Sequence, residues 1–223
     1  SFSSDIHARD HRVKAKMGLD AEGKIIAFEI DDLTGIGPYS MYPRSSAIEL
    51  NQVINLTGGQ YVIPNYKAIG NVVLQNKNMM CQYRAVGHPI ATTVAEATAE
   101  LAAAKAGLDP VEFRRRNLVA DDAYPTNTPS GLPLDNLSHQ ACLEKLLKLM
   151  DYDEKRVKQA ELRHKGVYRG IGLASFIEVT NPSPMFYGIG GAKVSAMDGC
   201  TLRVEPSGKI TCAIGVTEQG QGT

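Results

Sequence analysis

The sequence predicts an α+β fold, with mixed β-sheet and a central block of helices. Three observations carry that reading. Strand–turn–strand patterns stand near both ends, at residues 12–31 and 200–216, and an alanine-rich helical run fills the middle. Hydrophobic residues make up 43% of the chain and charged residues 22%, enough apolar surface for a packed core. At 223 residues there is room for one large domain or one and a half ordinary ones.

Taken in order, Arg12 to Leu19 alternates, with Val13, Ala15, Met17 and Leu19 on one side. Asp20-Ala21-Glu22-Gly23 turns the chain, and Lys24 to Ile30 returns through β-branched residues. A helix is predicted from Pro89 to Gly107, rich in the best helix former, with Pro near its start and Gly at its end. Asp109-Pro110 caps a short helix, Val111 to Leu118, with Glu112 in its first turn and Arg114-Arg115-Arg116 in its last. That order complements the helix dipole and reads as a helix end rather than a phosphate site.

Residues 121–137 read as a turn-rich loop. A third helix is expected from Ser138 to Leu162, with Leu143, Leu146, Leu147 and Met150 on one face and a charged, solvated C-terminal half. Beyond His164-Lys165-Gly166 the composition shifts to glycine-rich sequence holding a strand-like run, Gly170 to Val179. This places a domain boundary at about 166, dividing the chain into 1–165 and 166–223. The second hairpin joins Thr201-Leu202-Arg203-Val204 to Ile210-Thr211-Cys212-Ala213-Ile214. Both turns end in Gly-Lys-Ile, too short a match to establish a repeat.

Lys plus Arg equals Asp plus Glu at 24 each, so no polyanionic partner is implied and nucleic acid is not expected. No apolar run is long enough to span a membrane. The four cysteines, Cys81, Cys142, Cys200 and Cys212, lie far apart without a CxxC pair. They suit neither an iron–sulfur cluster nor structural zinc, and read as buried free thiols of a reducing, cytoplasmic compartment. His7 and His11 are four residues apart but precede a strand, so they do not form a helical zinc pair. Glu96 and Glu100 lie one helical turn apart, as an acid pair or as polar-packed carboxylates. The start, Ser1-Phe2-Ser3-Ser4, has neither a signal core nor an initiator Met and suggests a piece of a longer protein.

Two stretches are candidate binding loops. Thr217-Glu218-Gln219-Gly220-Gln221-Gly222-Thr223 alternates glycines, which permit close approach, with amides that both donate and accept. A plain polar turn is the alternative there. Gln82-Tyr83-Arg84-Ala85-Val86-Gly87-His88-Pro89 leads into the N-terminus of the long helix. Free N–H groups and a partial positive charge at such an end suit an anionic or oxo ligand. The alternative is that His88 and Arg84 only cap and brace the helix.

The order of these stretches resembles a known family. Ile63-Pro64-Asn65 followed by Tyr83-Arg84-Ala85-Val86-Gly87-His88-Pro89 resembles "IPN … FRGFGGP" of the xanthine dehydrogenase family and "YRGAGRPEA" of carbon monoxide dehydrogenase-like large subunits. Asp109 to Leu118 is similar to "DPAEIRRRNL", and Thr217 to Gly222 to "TEMGQG" or "TQGQGH". Gly170-Ile171-Gly172-Leu173-Ala174 stands between them in the expected place.

The resemblance implies a fragment of the molybdopterin-binding subunit of a molybdenum hydroxylase, with 1–165 part of one molybdopterin-binding domain and 166–223 the start of a second. The cofactor implied is molybdopterin, in its cytosine dinucleotide form, carrying Mo. Such a centre hydroxylates an electron-poor carbon of a small-molecule substrate, an aldehyde or N-heteroaromatic, with water-derived oxygen. Electrons leave through two [2Fe–2S] clusters to FAD, each on a partner subunit, in a dimer of heterotrimers.

Carried over, Tyr83, Arg84 and Ala85 would sit beside the molybdenum with backbone N–H groups aimed at an oxo ligand. Gln219, Gly220, Gln221 and Gly222 would hold the dithiolene end. Carbon monoxide enzymes proper have "YRCSFR", whose Cys binds copper, whereas Ala85 stands here, so CO oxidation is not expected. Xanthine enzymes place a substrate-orienting Arg twelve residues before the "IPN" proline, where this chain has Gln52, so purine use is not expected either. The glycine loop "GGFGxK", the "GxGE" base glutamate and the cluster cysteines do not occur in this sequence. The stretch is therefore catalytically incomplete by itself, and a module with only a structural or partner-binding role is the alternative.

Overall fold

A computed structural model describes residues 5–41, 45–178, 199–216, 218, 220 and 222. These fall into two compact units, the first within residues 5–178 and the second within 199–222.

The first unit is built on a three-stranded sheet. Strands β1 (His11–Leu19) and β2 (Ile25–Gly35) form the antiparallel hairpin expected from the alternation. Its turn closes through Gly23 N–H to Asp20 O (3.2 Å), with Gly23 at φ 80°, a conformation that favours glycine. Helix α1 (Ile48–Leu56) follows, and β3 (Tyr66–Val73) then adds to β2 in parallel. Neither α1 nor β3 was legible in the sequence.

Helix α2 (His88–Lys105) packs on this hairpin through Ala91, Ala95, Ala99, Ala102 and Ala103, all buried. Their small side chains let the helix backbone come close to the sheet. Core side chains Phe28, Ile30, Val53, Tyr61 and Phe113 close around it.

Helix α3 (Pro110–Asn117) starts as predicted, with the Asp109 carboxylate accepting from Val111 N–H at 2.8 Å. Its last turn does more than balance a dipole. Arg116 donates to the Glu22 carbonyl at 2.6 Å, while Asn117 accepts from Ile25 N–H (2.8 Å) and donates to Gly23 O (3.0 Å), tying the helix to the first hairpin turn. Arg114 is 1% exposed and pairs with Glu96 at 2.8 Å and Glu100 at 2.9 Å. The Glu96 carboxylate also accepts from Gln60 Nε2 (2.8 Å), Tyr61 OH (2.6 Å) and Ser175 N–H (2.9 Å). Burial and the adjacent Glu96 charge hold the Tyr61 hydroxyl well above its ordinary pKa, so it stays a donor.

Strands β4 (Thr126–Asn127) and β5 (Pro133–Leu134) form a small ladder in the turn-rich stretch. The expected third helix is two helices, α4 (His139–Met150) and α5 (Tyr152–His164). They break at Asp151, which takes φ 52° and ψ 54°. Asp tolerates this left-handed conformation, so no glycine marks the break.

Residues 170–178 are corrected in kind as well. Exposure alternates from Ile171 to Glu178, but these residues form no strand ladder among the described residues. Side chains satisfy the backbone instead, with Arg114 on Leu173 O (2.9 Å) and Gln60 on Ser175 O (2.6 Å). Three of the four thiols expected to be buried, Cys142, Cys200 and Cys212, are exposed, and Cys81 is half-buried. Among the described residues no helix is long and apolar enough to cross a membrane.

The second unit holds the other predicted hairpin, β6 (Cys200–Val204) with β7 (Ile210–Ile214). Its turn repeats the first: Gly208 N–H donates to Glu205 O at 2.9 Å with φ 82°.

The Glu96–Arg114 pair gives a test. Removing one partner strands a buried charge, so Arg114→Met is expected to cost about 3–5 kcal/mol in denaturant unfolding. Adding Glu96→Gln to it should cost less than the two single changes summed. Strict additivity would mean that the two side chains are not coupled.

Candidate functional site

The loop ahead of α2 begins where residues 7 and 79–81 run side by side, with His7 N–H on Met79 O and Cys81 N–H on His7 O, both at 3.1 Å. The chain then turns tightly: Val86 N–H donates to Tyr83 O at 2.6 Å, and His88 N–H to Ala85 O at 2.9 Å. Ala85 and Val86 both take positive φ, 77° and 48°. For a β-branched residue such as Val86 this is a strained conformation. The family patterns "FRG" and "YRG" carry glycine at the position of Ala85. That offset was the available sign of a backbone that needs φ > 0.

The surroundings enforce the strain from two sides. Arg9 donates through Nη2 to Arg84 O at 2.6 Å and through Nε to Val86 O at 3.2 Å, with its guanidinium 5.4 Å from the centre of the Tyr83 ring. On the other side Gln52 of α1 accepts from Gly87 N–H at 2.8 Å. A β-carbon on Gly87 would lie 2.4 Å from the Glu49 carbonyl oxygen, so only glycine lets α1 come this close. Gln52, which the sequence count set where a substrate-orienting Arg stands in xanthine enzymes, is 7% exposed and braces the loop. His88 is also buried, its Nδ1 donating to Ala85 O at 2.8 Å, so it braces the loop, while no side chain among the described residues caps the helix N-terminus. Tyr83 and Arg84 are exposed.

Behind α1 lies a buried cluster that the sequence did not reveal. His11 Nδ1 meets Asp32 Oδ2 at 2.8 Å and Nε2 meets Glu49 Oε1 at 3.1 Å, with the three side chains 3% exposed or less. Burial disfavours the imidazolium, but hydrogen bonds to Asp32 and Glu49, and their charges, outweigh it and raise the pKa to about 9. The doubly protonated ring then donates to both carboxylates and joins β1, β2 and α1. No grouping of His, Cys, Asp and Glu suited to a metal ion occurs among the described residues.

In the second unit, Gly220 and Gly222 take φ 88° and 83°, and both N–H groups point to Glu218 Oε1, at 2.6 and 3.2 Å. A carboxylate oxygen thus fills a small cradle of backbone donors. Gln219 and Gln221 lie outside the described residues. The two candidate loops therefore stand in separate units.

Residues 1–118 match the molybdopterin cofactor-binding domain, and residues 145–223 match a second domain of that description. The chain belongs to the molybdopterin cofactor-binding family. It is 30% identical over 217 residues to the nicotine 6-hydroxylase large subunit of Paenarthrobacter nicotinovorans, covering 97% of this chain and 26% of that protein. The carbon monoxide dehydrogenase large chain of Hydrogenophaga pseudoflava is 26% identical over 232 residues, covering 100% of this chain and 28% of the relative. In fold, the chain matches the crystal structure of quinoline 2-oxidoreductase from Pseudomonas putida 86 with a TM-score of 0.84 and 27% identity, over 99% of this chain and 28% of the other. The chain thus spans about a quarter of the length of these relatives. It corresponds to a stretch of the molybdopterin-binding subunit of molybdenum hydroxylases, as the ordered motifs imply.

Two outcomes check this geometry. Ala85→Gly relieves roughly 1–2 kcal/mol of left-handed strain against about 0.4–1 kcal/mol of added unfolded-state entropy, so it should be neutral or stabilising by up to about 1.6 kcal/mol. The same change at buried, helical Ala99 should cost about 1 kcal/mol or more. Thermal unfolding of both variants decides this, and equal losses would contradict the positive φ at Ala85. The His11 pKa is raised on folding, so its contribution is fully present below about pH 6.5 and is lost as pH rises through about 9. Unfolding free energy should therefore fall across that window, on the order of 3 kcal/mol, and His11→Gln should flatten the slope.

Proposed function

We propose that the intact protein is a molybdenum hydroxylase that oxidises an N-heteroaromatic or aldehyde carbon with water-derived oxygen, and that this chain supplies part of the molybdopterin cradle. The observation that carries the reading is the loop at 83–87. Arg9 holds the Arg84 carbonyl, and a trans peptide sets the Ala85 N–H on the side opposite that carbonyl. Among the described residues the Ala85 N–H has no acceptor. A rigid donor at a helix entrance suits an oxo or phosphate oxygen.

On this reading Tyr83, Arg84 and Ala85 line the metal end. Gln219, Gly220, Gln221 and Gly222 hold the pterin, with Glu218 Oε1 occupying the Gly220 and Gly222 donors that would otherwise face a ligand oxygen. When bound, the molybdenum centre supplies the oxidation, and the protein's part is orientation and hydrogen bonding. The cytosine dinucleotide form, a [2Fe–2S] subunit, an FAD subunit, a dimer of heterotrimers and a cytoplasmic location complete the proposal. Residues 1–165 and 166–223 would belong to successive molybdopterin-binding domains; two family matches in succession support the pair of domains, although the second match begins at residue 145, ahead of the proposed boundary. The names of the relatives, a nicotine hydroxylase and a quinoline oxidoreductase, favour an N-heteroaromatic substrate. Ala85 lacks the thiol that would hold copper for CO.

Purified from its own host, the intact protein should contain stoichiometric molybdenum by elemental mass spectrometry and release a fluorescent pterin and CMP on acid hydrolysis. It should reduce a dye acceptor with N-heteroaromatic or aldehyde substrates and not with CO. A preparation without molybdenum or pterin would sink the proposal.

A further inference from the structure

We infer that Arg9 is a positioning residue for the cofactor-facing loop, holding and polarising the peptide that presents the Ala85 N–H. The inference rests on the reading that residues 83–85 face the molybdenum. Arg9 lies 75 residues from Arg84 in sequence, outside every motif that drew attention to the loop.

Its guanidinium makes two hydrogen bonds to carbonyls two residues apart, Arg84 O and Val86 O, which flank the strained Ala85. One planar fork reaching both carbonyls fixes the orientation of two peptide planes at once, which a Lys ammonium on a flexible stem does not match. Stacking over Tyr83 fixes the guanidinium in turn. The base of the side chain is anchored as well. Arg9 sits at φ 67°, and the next residue is held by Gly35 N–H on Asp10 O at 3.0 Å and by the Lys77–Asp10 ion pair.

The bond to Arg84 O has an electrostatic consequence. A cation on the carbonyl end of a peptide withdraws electron density from it and makes the N–H at the other end a stronger donor. In the 84–85 peptide that N–H belongs to Ala85. Arg9 thus acts on the cofactor through the loop, without touching it. Gln52 completes the brace at Gly87, so losing Arg9 releases the Tyr83–Val86 portion while the helix entrance stays in place.

The test uses the intact holoenzyme carrying Arg9→Ala or Arg9→Lys. Hydrogen exchange of the amides at 85 and 86 reports the loop, with Gly87 as the internal control, and the Mo(V) electron paramagnetic resonance signal reports the metal's surroundings. In both variants exchange should rise, the Mo(V) signal should shift with molybdenum content kept, and kcat should fall by about 10–100-fold with little change in KM. Millimolar ethylguanidinium should restore the signal and part of kcat in Arg9→Ala and do nothing for the wild type. Should Arg9→Ala fail to fold, Arg9→Lys carries the same readouts. Unchanged exchange would overturn the inference. So would faster exchange with an unaltered Mo(V) signal and kcat, which would leave Arg9 a brace only. Failure of the underlying reading shows separately, as a wild-type holoenzyme without molybdenum.

Discussion

The Glu96 carboxylate, only 6% exposed, is the point on which the first unit depends. A buried carboxylate is several kcal/mol too costly to persist unless donors surround it. Here the donors come from three parts of the chain: Arg114 from α3, Gln60 and Tyr61 from the turn after α1, and the Ser175 amide from the segment at 170–178. None of these pieces shifts without leaving a charge or a donor uncompensated. The ion pair is a poor source of net stability in itself, yet it allows one arrangement of the elements and penalises the rest.

That arrangement sets where α2 begins and so where the 83–87 loop stands. The loop has two consecutive residues in left-handed conformations without a glycine between them, a state that persists only when its neighbours over-determine it. Arg9, Gln52 and the close contact of Gly87 with α1 provide that determination, and α1 is in turn fixed to the sheet by the His11, Asp32 and Glu49 cluster. Buried polar groups thus brace the candidate site in layers, each ordering the next. A site that must aim backbone donors at a bound oxygen needs such rigidity, because the backbone has no side-chain torsion with which to adjust.

Much of the fold was legible because its signals are local. The hairpin at 12–31 follows from period-two alternation and an Asp-to-Gly turn, and α2 and α3 from alanine content, Pro placement and the Asp109 cap. Helix α1 escaped notice because its inward face carries Glu49 and Gln52, which erase the apolar periodicity. Strand β3 lies at the sheet edge with several apolar residues turned outward, so no clean alternation marks it. The run at 170–178 has the alternation of a strand, but its hydrogen bonds go to side chains distant in sequence.

By itself, the sequence determined the family, the order of the motifs and the local elements, since those depend on residue type and short-range spacing. It also singled out Tyr83-Arg84-Ala85 and the Gln219–Gly222 stretch. Only the tertiary structure decided that Arg114 is buried against Glu96 rather than solvated at a helix end, and that Gln52 and Arg9 flank one loop. It also decided that His11 is an imidazolium between two carboxylates. Each of these depends on burial, which sets the cost of a charge and is a property of residues brought together from 18 to 77 positions apart.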